Sequence, residues 1–512
     1  MLVCAMPSIV LATLNARYAH ASLGLRYLRA NMGELRAETV IREFVIRTPA
    51  AQIVESLLAL QPQIIGFGVY IWNVQQTTRV IELLKAVAPQ VVVVVGGPEV
   101  SHEVDRQMIC RLADLVITGW GEVTFARLVR QLLHGPRVLA RVHAGEQSPL
   151  AELASPYAEY SDEDLRHRHV YVEASRGCPF KCEFCLSALD KTAWPFPLDR
   201  FLRDLEDLWQ RGARRYKFVD RTFNLRVETS VAILDFFLQR IESAPDDPPF
   251  LHFELIPDHL PTALRGRLAR FHAGTLQLEI GIQTFNVQVQ ALISRRQKND
   301  EAEANLRWLR TETRAHLHVD LIAGLPGEDL ASLAAGFDRL VALRPHEIQV
   351  GVLKRLRGAP IARHSESHAL LFNAEAPYEV ISTRVIDAPT MQRIRRFARY
   401  WDLIANSGRF PRALPLLLGR APFGRFMALA DWLYATTRRT HALPNEELCA
   451  LLHAWLMREG MSTAEAARVV ALDYADSGAR GRLPFVAAVP VRRGASPARK
   501  ATLDRQRRHL RV

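Results

Sequence analysis

The chain has 512 residues and a formal net charge of +12, with 66 Lys and Arg against 54 Asp and Glu. Hydrophobic residues make up 49% of it, which is enough for the cores of about two to four soluble domains. No apolar run approaches the ~18 residues of a membrane-spanning helix, and residues 1–7 lack the basic start of a signal peptide. We therefore expect no membrane association and a cytoplasmic location.

Residues 1–145 alternate apolar runs with helical patterns. The predicted strands are residues 8–14, 64–71, 91–95 and 114–118. The predicted helices are residues 20–32, 50–60, 74–88 and 122–133. Near-continuous Val and Ile content suits parallel strands that are buried on both faces. We therefore expect a doubly wound, Rossmann-like α/β domain with ligand-binding loops at the carboxyl ends of its strands.

Three of those loops are rich in glycine, which permits tight turns and a close approach of a ligand to the backbone. They comprise residues 66–73, 96–99 and 119–122. A nucleotide-binding domain of the usual kind has G-x-G-x-x-G after its first strand, and this chain has none there. The candidate ligand contacts on the three loops are Tyr70, Gly96, Gly97, Gly119 and Glu122.

The Gly-Gly pair and the G-x-G-E loop resemble those of cobalamin-binding domains, and this resemblance implies cobalamin as a cofactor. Domains of this kind that bind cobalt through a histidine have D-x-H-x-x-G after the first strand. The aligned stretch here is 15–20, where Arg17 holds the histidine position, so we expect no lower axial histidine. His20 is nearby, but a histidine in the first turn of a helix is more often structural. A degenerate domain that keeps the sheet but has lost the ligand is the alternative.

A single short loop contains Cys178, Cys182 and Cys185 in the spacing C-x3-C-x2-C, directly after a strand-like run. Three thiolates on one loop can hold three irons of a cubane cluster and leave the fourth iron open. A structural zinc site needs four ligands, and the nearest candidates, His167 and His169, stand at the far end of the run. A disulfide would leave one cysteine over. The spacing therefore favours an open-iron [4Fe-4S] cluster.

Six strand-like runs recur in residues 169–360, separated by helical segments. They are residues 170–175, 216–220, 251–256, 275–282, 316–322 and 347–353. Repeated βα units give parallel strands, so we expect a partial (β/α)6 barrel of the TIM type with active residues at the carboxyl ends of its strands. The polar residues that break these strands are Asp220, Glu254, Glu279, Gln283 and Asp320, and the turn 324–328 follows.

The cysteine spacing and the barrel resemble the radical S-adenosylmethionine (SAM) superfamily. Together with the first domain, they resemble its subfamily with a cobalamin-binding domain. The resemblance implies that the open iron binds SAM and that the reduced cluster cleaves SAM to a 5′-deoxyadenosyl radical. It implies Asp220 near the amino group of SAM, Glu279 and Gln283 at its ribose and methionine parts, and Asp320 at the same site. It also implies a reductant such as flavodoxin or ferredoxin.

The resemblance favours C-methylation of an unactivated carbon in a small-molecule or peptide substrate. Members of the subfamily also perform other radical chemistry, so a rearrangement or an RNA modification without methyl transfer is one alternative. A non-catalytic corrinoid or redox carrier is another, and it would form no 5′-deoxyadenosine.

Helical periodicity dominates the last third, with predicted helices at 384–404, 423–437, 445–458 and 462–472. This region resembles an uncharacterised domain that is appended to such proteins, which implies no activity. From residue 492 onward, eight Lys and Arg stand against Asp504 alone, which predicts a disordered tail, or alternatively an RNA contact through phosphates. The predicted parts are a cobalamin-binding-like domain (1–145), a linker (146–168), a barrel (169–360), an α-helical domain (361–483) and a basic tail (484–512).

Overall fold

The computed structural model describes residues 8–190, 192–479, 481–486 and 504–509. The chain forms two compact units. The first comprises the residues up to Arg221 together with Lys354–Ala362 and Asn373–Glu379. The second comprises Thr222–Leu353, Arg363–Phe372 and the described residues from Val380 onward. Each unit has its own parallel strands.

The first unit begins with six strands that form one sheet. The strands are β1 (Ile9–Asn15), β2 (Thr39–Val45), β3 (Ile64–Gly68), β4 (Val92–Gly96), β5 (Leu115–Thr118) and β6 (Val142–Ala144). The helices are α1 (Leu23–Ala30), α2 (Ala50–Leu58), α3 (Val74–Val87), α4 (Met108–Leu112) and α5 (Glu122–His134). The order is β2-β1-β3-β4-β5-β6 and every pairing is parallel. The doubly wound α/β fold is confirmed, and β2 and β6 are strands that the sequence pattern did not indicate.

Both faces of this sheet are buried. Successive residues of β1 point to opposite faces, so Val10 and Leu14 pack into one apolar core while Ile9 and Leu11 pack into the other. All seven residues of β1 are buried. A sheet covered on both faces offers no face to a ligand, so its chemistry has to lie in the loops at the strand ends.

The segment 146–168, which the sequence predicts to be a linker, packs against this domain. It contains helix α6 (Asp162–His167), which begins with a capping pair between Ser161 and Asp164. The buried guanidinium of Arg26 lies 2.8 Å from Asp164 and 3.0 Å from Glu43 of β2. The segment is therefore an ordered connection that is fixed by buried ion pairs.

After this connection, the first unit contains a pair of parallel strands and a hairpin. The elements are β7 (Val170–Val172), β8 (Ser175–Gly177), β9 (Ala193–Pro195), helix α7 (Leu198–Gln210) and β10 (Arg215–Phe218). β7 pairs with β10 in parallel, whereas β8 and β9 form an antiparallel hairpin. The hairpin encloses the cysteine loop, and the sequence pattern gave no sign of it.

The second unit contributes four more parallel strands. They are β11 (Phe250–Leu255), β12 (Leu276–Gln283), β13 (His316–Ala323) and β14 (Glu347–Val352). The helices are α8 (Val227–Ser243), α9 (Thr262–Leu268), α10 (Val287–Leu292), α11 (Asn299–Glu312) and α12 (Leu330–Leu343). The strand order is β14-β13-β12-β11, and all three pairings are parallel. With β7 and β10, the six predicted strands of the partial barrel are all present.

Helices dominate the rest of the second unit, as predicted. A two-stranded sheet of β15 (Leu371–Phe372) and β16 (Val380–Ser382) precedes them. The helices are α13 (Ala388–Ile404), α14 (Ala413–Leu418), α15 (Pro422–Thr437), α16 (Asn445–Arg458), α17 (Thr463–Asp476) and α18 (Asp504–His509). Aromatic rings of α13 and α15 pack on Phe337 of α12. None of the described helices is long and apolar enough to cross a membrane.

Helix α18 lies within the stretch predicted to be a disordered basic tail. Arg505 binds Glu347 at 2.7 Å and Asp402 at 2.8 Å, and Arg508 donates to the carbonyl of Ser407 at 2.6 Å. These two arginines are therefore engaged with other residues of the second unit. The prediction of disorder for residues 487–503 and 510–512 lies outside the described residues.

Candidate functional site

The three predicted cluster ligands share the loop between β8 and β9. Cys178 is 8% exposed, Cys182 and Cys185 are half-buried, and the Cys185 amide donates to the Cys182 carbonyl at 3.0 Å. The five cysteines among the described residues form no disulfide bond, so no sulfur bridge competes with a metal for these thiols. Burial raises the pKa of Cys178 to about 11, and Cys185 and Cys182 add to the rise. Such a thiol loses its proton at neutral pH when a metal replaces it.

The position of this loop helps to decide between a zinc site and an iron–sulfur cluster. The histidines of the zinc alternative lie elsewhere: His167 ends α6, and His169 forms a bridge with His20 at the amino end of β7. The cysteine loop follows the carboxyl end of that strand. Among the residues that the structure describes, no group of three or more Cys, His, Asp or Glu side chains, the loop cysteines included, is already arranged to hold a metal ion. In a cubane cluster three irons can each take one thiolate while the fourth takes a ligand from outside the protein, so three cysteines suit it better than they suit zinc.

The cysteine loop has a fixed shape. Gly177 precedes the first cysteine with φ of +93°, and a Cβ there would lie 2.5 Å from the carbonyl oxygen of Thr192. Only glycine fits this position without a backbone shift. At the other side of the loop, the Lys181 ammonium donates to the carbonyl of Ala188 at 3.0 Å and to that of Asp190. The backbone that presents the thiols is therefore held before any metal binds.

Arg176 links the cysteine loop to the first domain. Its guanidinium binds Glu122, at the start of α5, at 2.7 Å and Glu173 at 2.6 Å. It lies over the rings of Trp120 and Tyr27, at 4.7 and 4.9 Å from their centroids. Sequence reasoning assigned Arg176 no role, although a charged residue two positions before the first cysteine was a visible signal. The contacts fix the cysteine loop against the G-x-G-E loop of the sheet domain.

A cavity of about 350 Å³ opens at the carboxyl ends of β3, β4 and β5, between α1 and α5. All five residues predicted to contact a ligand in this domain line it, namely Tyr70, Gly96, Gly97, Gly119 and Glu122. A Cβ on Gly97 would lie 2.5 Å from the carbonyl oxygen of Val69, and one on Gly66 would lie 2.9 Å from the ring of Phe125. These two glycines therefore allow their neighbours to pack closely, and the three loops meet around the cavity.

An aromatic pair stands at the end of β3, beside the cavity. The rings of Tyr70 and Trp72 stack at a centroid distance of 4.4 Å and an angle of 7°, and Trp72 is 50% exposed. The fully buried Asn73 accepts from the Tyr70 amide at 2.8 Å and donates to the Leu14 carbonyl at 3.1 Å. Sequence reasoning identified this loop but missed the roles of Trp72 and Asn73. An exposed, rigidly stacked indole beside a cavity is suited to contact a flat ligand.

His20 has a partner of its own. Its Nδ1 lies 2.6 Å from the hydroxyl of Tyr171, the ring is half-buried, and burial lowers its pKa. Neither His20 nor Arg17 lines the cavity. The structural interpretation of His20 given by the sequence fits this geometry.

A clamp formed by Arg357 and Tyr378 holds the turn after β4. Both belong to the two short segments that follow β14 in the chain but fold with the first unit. Glu99 is 4% exposed, and its carboxylate lies 2.5 Å from the Tyr378 hydroxyl and 3.0 Å from Nε of Arg357. Burial raises the pKa of Glu99, while both hydrogen bonds oppose the rise. Because Glu99 follows Gly97 by two residues, the clamp supports a wall of the cavity from a distant part of the chain.

Asp220 lies in the first unit, just after β10, and is 3% exposed. Its two oxygens accept from the Ala174 amide at 3.0 Å and from the Ser175 hydroxyl at 2.6 Å. Burial raises its pKa to about 7, and the bonds from Ser175 and Ala174 oppose that rise. The carboxylate thus holds the backbone that leads into β8 and the cysteine loop. Its predicted contact with SAM stays a prediction.

The other three predicted SAM contacts lie in the second unit. Glu279 and Gln283 stand on β12 and Asp320 on β13, all at half-buried positions that alternate with buried apolar residues. Glu279 lies 2.9 Å from Nε2 of His252, and Asp320 lies 3.2 Å from Nε2 of His318. Alternation places all of them on one face of the sheet. The structure therefore groups these three side chains, while their role toward SAM stays a prediction.

Gln283 has an unusual backbone. It ends β12 with φ of +69°, and the pairing with β13 shifts register between Gly281 and Gln283. A non-glycine residue in the left-handed region costs about 1–3 kcal/mol, and such residues are concentrated at functional sites. A Cβ on Gly281 would collide with the Gln283 amide, so this glycine makes room for the side chain. The Gln283 amide thus packs back over Gly281.

Comparison with known proteins gives a consistent set of domains. Residues 9–129 match the B12 binding domain, residues 172–339 match the Radical SAM superfamily, and residues 366–510 match the family Protein of unknown function (DUF4080). The resemblance predicted from the sequence is confirmed, because a B12-binding domain, a radical SAM domain and an uncharacterised C-terminal domain follow one another in this chain. The predicted corrinoid contacts fall in the first of these domains, and the three cysteines and predicted SAM contacts fall in the second.

Two curated relatives and one solved structure illustrate the similarity. An uncharacterised methyltransferase of Pyrococcus horikoshii is 28% identical over 233 residues, which are 41% of this chain and 51% of the relative. The cobalamin-dependent radical SAM methyltransferase TokK of Streptomyces tokunonensis is 23% identical over 335 residues, 59% of this chain and 48% of the relative. The chain thus spans about half the length of the curated relatives it matches. The cobalamin-dependent SAM radical enzyme OxsB, solved with aqua-cobalamin, shares the fold, with a TM-score of 0.59 at 14% identity over 92% of this chain and 79% of OxsB.

Proposed function

We propose that this chain, in which a B12-binding domain precedes a radical SAM domain, is a radical SAM enzyme that cleaves SAM reductively and uses cobalamin to methylate an unactivated carbon. The observation that carries the proposal is the position of Arg176. It precedes Cys178 by two residues, lines the glycine-walled cavity, and binds Glu122 of the same cavity at 2.7 Å. One side chain thus ties the proposed cluster ligands to the proposed corrinoid pocket.

The residues present fit both cofactors. Three cysteines on a preformed loop, none of them in a disulfide, supply one thiolate for each of three irons and leave one iron for SAM. The cavity of about 350 Å³ has a mostly apolar lining, and at Gly97 and Gly66 of that lining a Cβ would collide with Val69 or Phe125. Cobalamin is larger than this cavity, but its nucleotide tail ends in a flat heteroaromatic base, and a pocket of this size and lining suits such a group.

When bound, the two cofactors supply the electron that cleaves SAM and the methyl group that is transferred. The chain's own residues bind these cofactors and orient them. The three loop cysteines are the iron ligands, while Asp220 holds the backbone before them. Glu279, Gln283 and Asp320 are the proposed contacts of the polar groups of SAM.

The chain also shields the link between the two proposed sites. The rings of Trp120 and Tyr27 lie over the Arg176 guanidinium and leave its side chain only 19% exposed. Exclusion of water strengthens the ion pairs of this arginine and protects radical chemistry from side reactions.

The proposed reaction needs partners. Reductive cleavage consumes one electron for each SAM, so we propose a low-potential reductant such as flavodoxin or ferredoxin. The substrate is proposed to be a small molecule or a peptide that carries an unactivated carbon. A low-potential cluster and reduced thiols function in reducing surroundings, which supports the proposed cytoplasmic location.

The test is anaerobic purification with cobalamin supplied, followed by assays of iron, sulfide and cobalt. We expect about four irons and about one cobalt per chain. Reduction in the presence of methyl-deuterated SAM should release 5′-deoxyadenosine and deliver the label to the bound cobalamin. Replacing all three loop cysteines by Ala should remove the iron, whereas Cys449→Ala, at a cysteine outside the loop, should not.

Other outcomes separate the alternatives. Four irons without cobalt would retain radical chemistry and remove methyl transfer through cobalamin. Cobalt and iron without any 5′-deoxyadenosine would identify a non-catalytic corrinoid carrier. Label on cobalamin that never leaves it in the presence of candidate acceptors would point to a different acceptor class.

A further inference from the structure

One row of ionisable side chains crosses the sheet of the second unit at a single level. The register pairs Glu254 with Glu279, Glu279 with His318, and His318 with Glu347. Neighbouring strands lie about 4.8 Å apart and residues in register point to the same face, so these four side chains stand side by side. Three are carboxylates and one is an imidazole. Like charges at this spacing repel, so the row needs positive charge to be stable.

His318 is placed to supply that charge. Its Nδ1 lies 3.4 Å from Glu347, its Nε2 lies 3.2 Å from Asp320, and its side chain is 15% exposed. An imidazole can donate to two carboxylates only when both nitrogens carry protons. Burial lowers the pKa of His318, but the interactions with Asp320 and Glu347 outweigh it and raise the pKa to about 10. The ring therefore carries its charge at neutral pH.

Glu347, at one end of this row, has further partners near the amino ends of the strands. Glu347 also lies 2.9 Å from His316 and 2.7 Å from Arg505 of α18. Arg505 itself donates to the carbonyl of Asn406 at 2.8 Å. With these partners Glu347 is neutralised from the amino-end side. His318 can then compensate Asp320, which lies further along β13 toward the carboxyl end.

Asp320 is the member of the group that faces the proposed SAM contacts. Its register partner on β12 is Gly281, between Glu279 and Gln283. Burial raises the pKa of Asp320. The nearby His318 imidazolium and Arg295 oppose that rise, whereas Glu279 adds to it. The titratable and charged groups around His318 and Asp320 are thus Glu254, Glu279 with its partner His252, Glu347, His316, Arg295 and Arg505.

We propose that His318 is a positioning residue. Held between Glu347 and Asp320, it fixes the orientation and the negative charge of the Asp320 carboxylate, which binds a cationic group of the ligand. The inference rests on the proposed function, because SAM, with its ammonium and sulfonium groups, is the cation that this carboxylate would meet.

The first test measures SAM binding to the reconstituted full-length protein by anaerobic calorimetry between pH 6.5 and 8.5. Wild type should bind with nearly constant affinity. His318→Gln should bind about tenfold more weakly at the low end and recover toward the high end, because Asp320 without its imidazolium partner takes up a proton there. His441→Gln, at an exposed histidine in the loop before α16, is the matched control and should follow wild type. A loss in His318→Gln that is equal at every pH would show a merely structural role and overturn the proposal.

A second test requires no SAM, and its variants need not be as stable as the wild type. In protein labelled at the histidine Cε1 carbon, the signal that disappears in His318→Gln or His318→Asn should keep its protonated position up to about pH 9. A titration near pH 6.5 would overturn the proposal. Wild type that binds no SAM, with the histidine titration as expected, would instead count against the proposed function and leave the charge of His318 established.

Discussion

The sheet of the first unit and the sheet of the second are both parallel, but their strands follow different patterns. β1 and β4 are mostly apolar on both faces and every residue of β1 is buried. β12 and β13 instead alternate buried apolar residues with half-buried polar ones along most of their length. In the first sheet the proposed cofactor contacts therefore lie in loops beyond the strands, whereas in the second they lie on one face of the strands themselves.

This difference decides how each sheet tolerates change. A loop site depends on backbone shape, so its sensitive positions are glycines and the residues that clamp them. A site on a strand face depends on balanced charge, because its carboxylates are fixed close to one another by the strand spacing. Substitutions that alter backbone shape should therefore damage the first unit most, and substitutions that alter charge should damage the second.

The largest effect is expected for Gly97→Ala. A Cβ at this residue would lie 2.5 Å from a carbonyl oxygen at φ of +114°, so strain and collision together should cost about 4 kcal/mol. Hydrogen exchange of β3 and β4 should show this loss, and the purified protein should contain no cobalt. Gly266→Ala is the control, since its Cβ would meet no atom within 4 Å. Unchanged cobalt content in Gly97→Ala would contradict the assignment of the cavity as the corrinoid site.

The next effect is expected for Glu347→Gln. Removing this carboxylate leaves the His318 imidazolium and the Arg505 guanidinium without this buried partner and should cost about 3 kcal/mol in hydrogen exchange of β14. Glu312→Gln makes the same chemical change at an exposed residue that ends α11, so it is the control and should keep the protection of wild type. Equal protection of β14 in Glu347→Gln and wild type would contradict the charge balance.

The same residue predicts a pH dependence. Burial would raise the pKa of Glu347, but the hydrogen bonds from His316 and His318 outweigh it and hold the pKa below its usual range. A depressed folded-state pKa stabilises the protein above the unfolded pKa of about 4.3, and that stabilisation is lost as the pH falls further. Protection of β14 should therefore decline below about pH 4 in wild type. Glu347→Gln should decline less steeply, and parallel curves for the two proteins would refute the assignment.

A smaller effect is expected for the clamp on the cavity wall. Arg357→Met leaves the Glu99 carboxylate buried with one bond fewer and should cost about 2 kcal/mol, with weaker cobalamin retention. Adding Glu99→Gln should cost less than the sum of the two single changes, because the pair interacts directly. Arg355→Met is the matched control: it breaks a more exposed pair with Glu103 and should cost below about 1 kcal/mol. If the costs of Arg357→Met and Glu99→Gln simply add, the two side chains do not stabilise each other.

The smallest effect on stability is expected for Trp72→Leu. The indole is 50% exposed, so its loss should change the free energy of unfolding by less than about 1 kcal/mol. If it contacts the corrinoid, cobalamin retention should nevertheless fall about fivefold. Tyr18→Leu, at an aromatic residue of 49% exposure on none of the three cavity loops, should leave cobalamin retention unchanged. An equal loss of retention in both variants would show that Trp72 has no specific contact.

Local patterns predicted much of the fold. The helix predicted at 445–458 has the bounds of α16, and the strand predicted at 316–322 differs from β13 by one residue. β2 escaped prediction because Arg42 and Glu43 interrupt its apolar run. β6 and the hairpin of β8 and β9 have three residues in each strand, too few to show a period. Short or edge strands take their conformation from their partners, which a local pattern does not contain.

For the candidate site too, only features that are local in the sequence could be predicted. The cysteines and the glycine loops are contiguous in the chain, so their spacing indicated their chemistry. The partners of Glu99 and of Glu347 could not be predicted, because Arg357 is 258 residues from Glu99 and Arg505 lies on a separate helix beyond the barrel. Such pairs depend on which elements the tertiary fold brings together. For Asp220, the sequence predicted its position at the end of a strand. It did not predict the hydrogen bonds that Asp220 accepts from Ala174 and Ser175 before the cysteine loop.

The clamp on Glu99 also sets an order of events during synthesis. Domains form from the amino terminus as the chain emerges from the ribosome, so the first sheet assembles early. Tyr378 follows Glu99 by 279 residues, and the turn beside Gly97 gains that partner only after the whole barrel has been translated. The proposed corrinoid pocket therefore gains its last supporting contact only after the radical SAM domain has been translated.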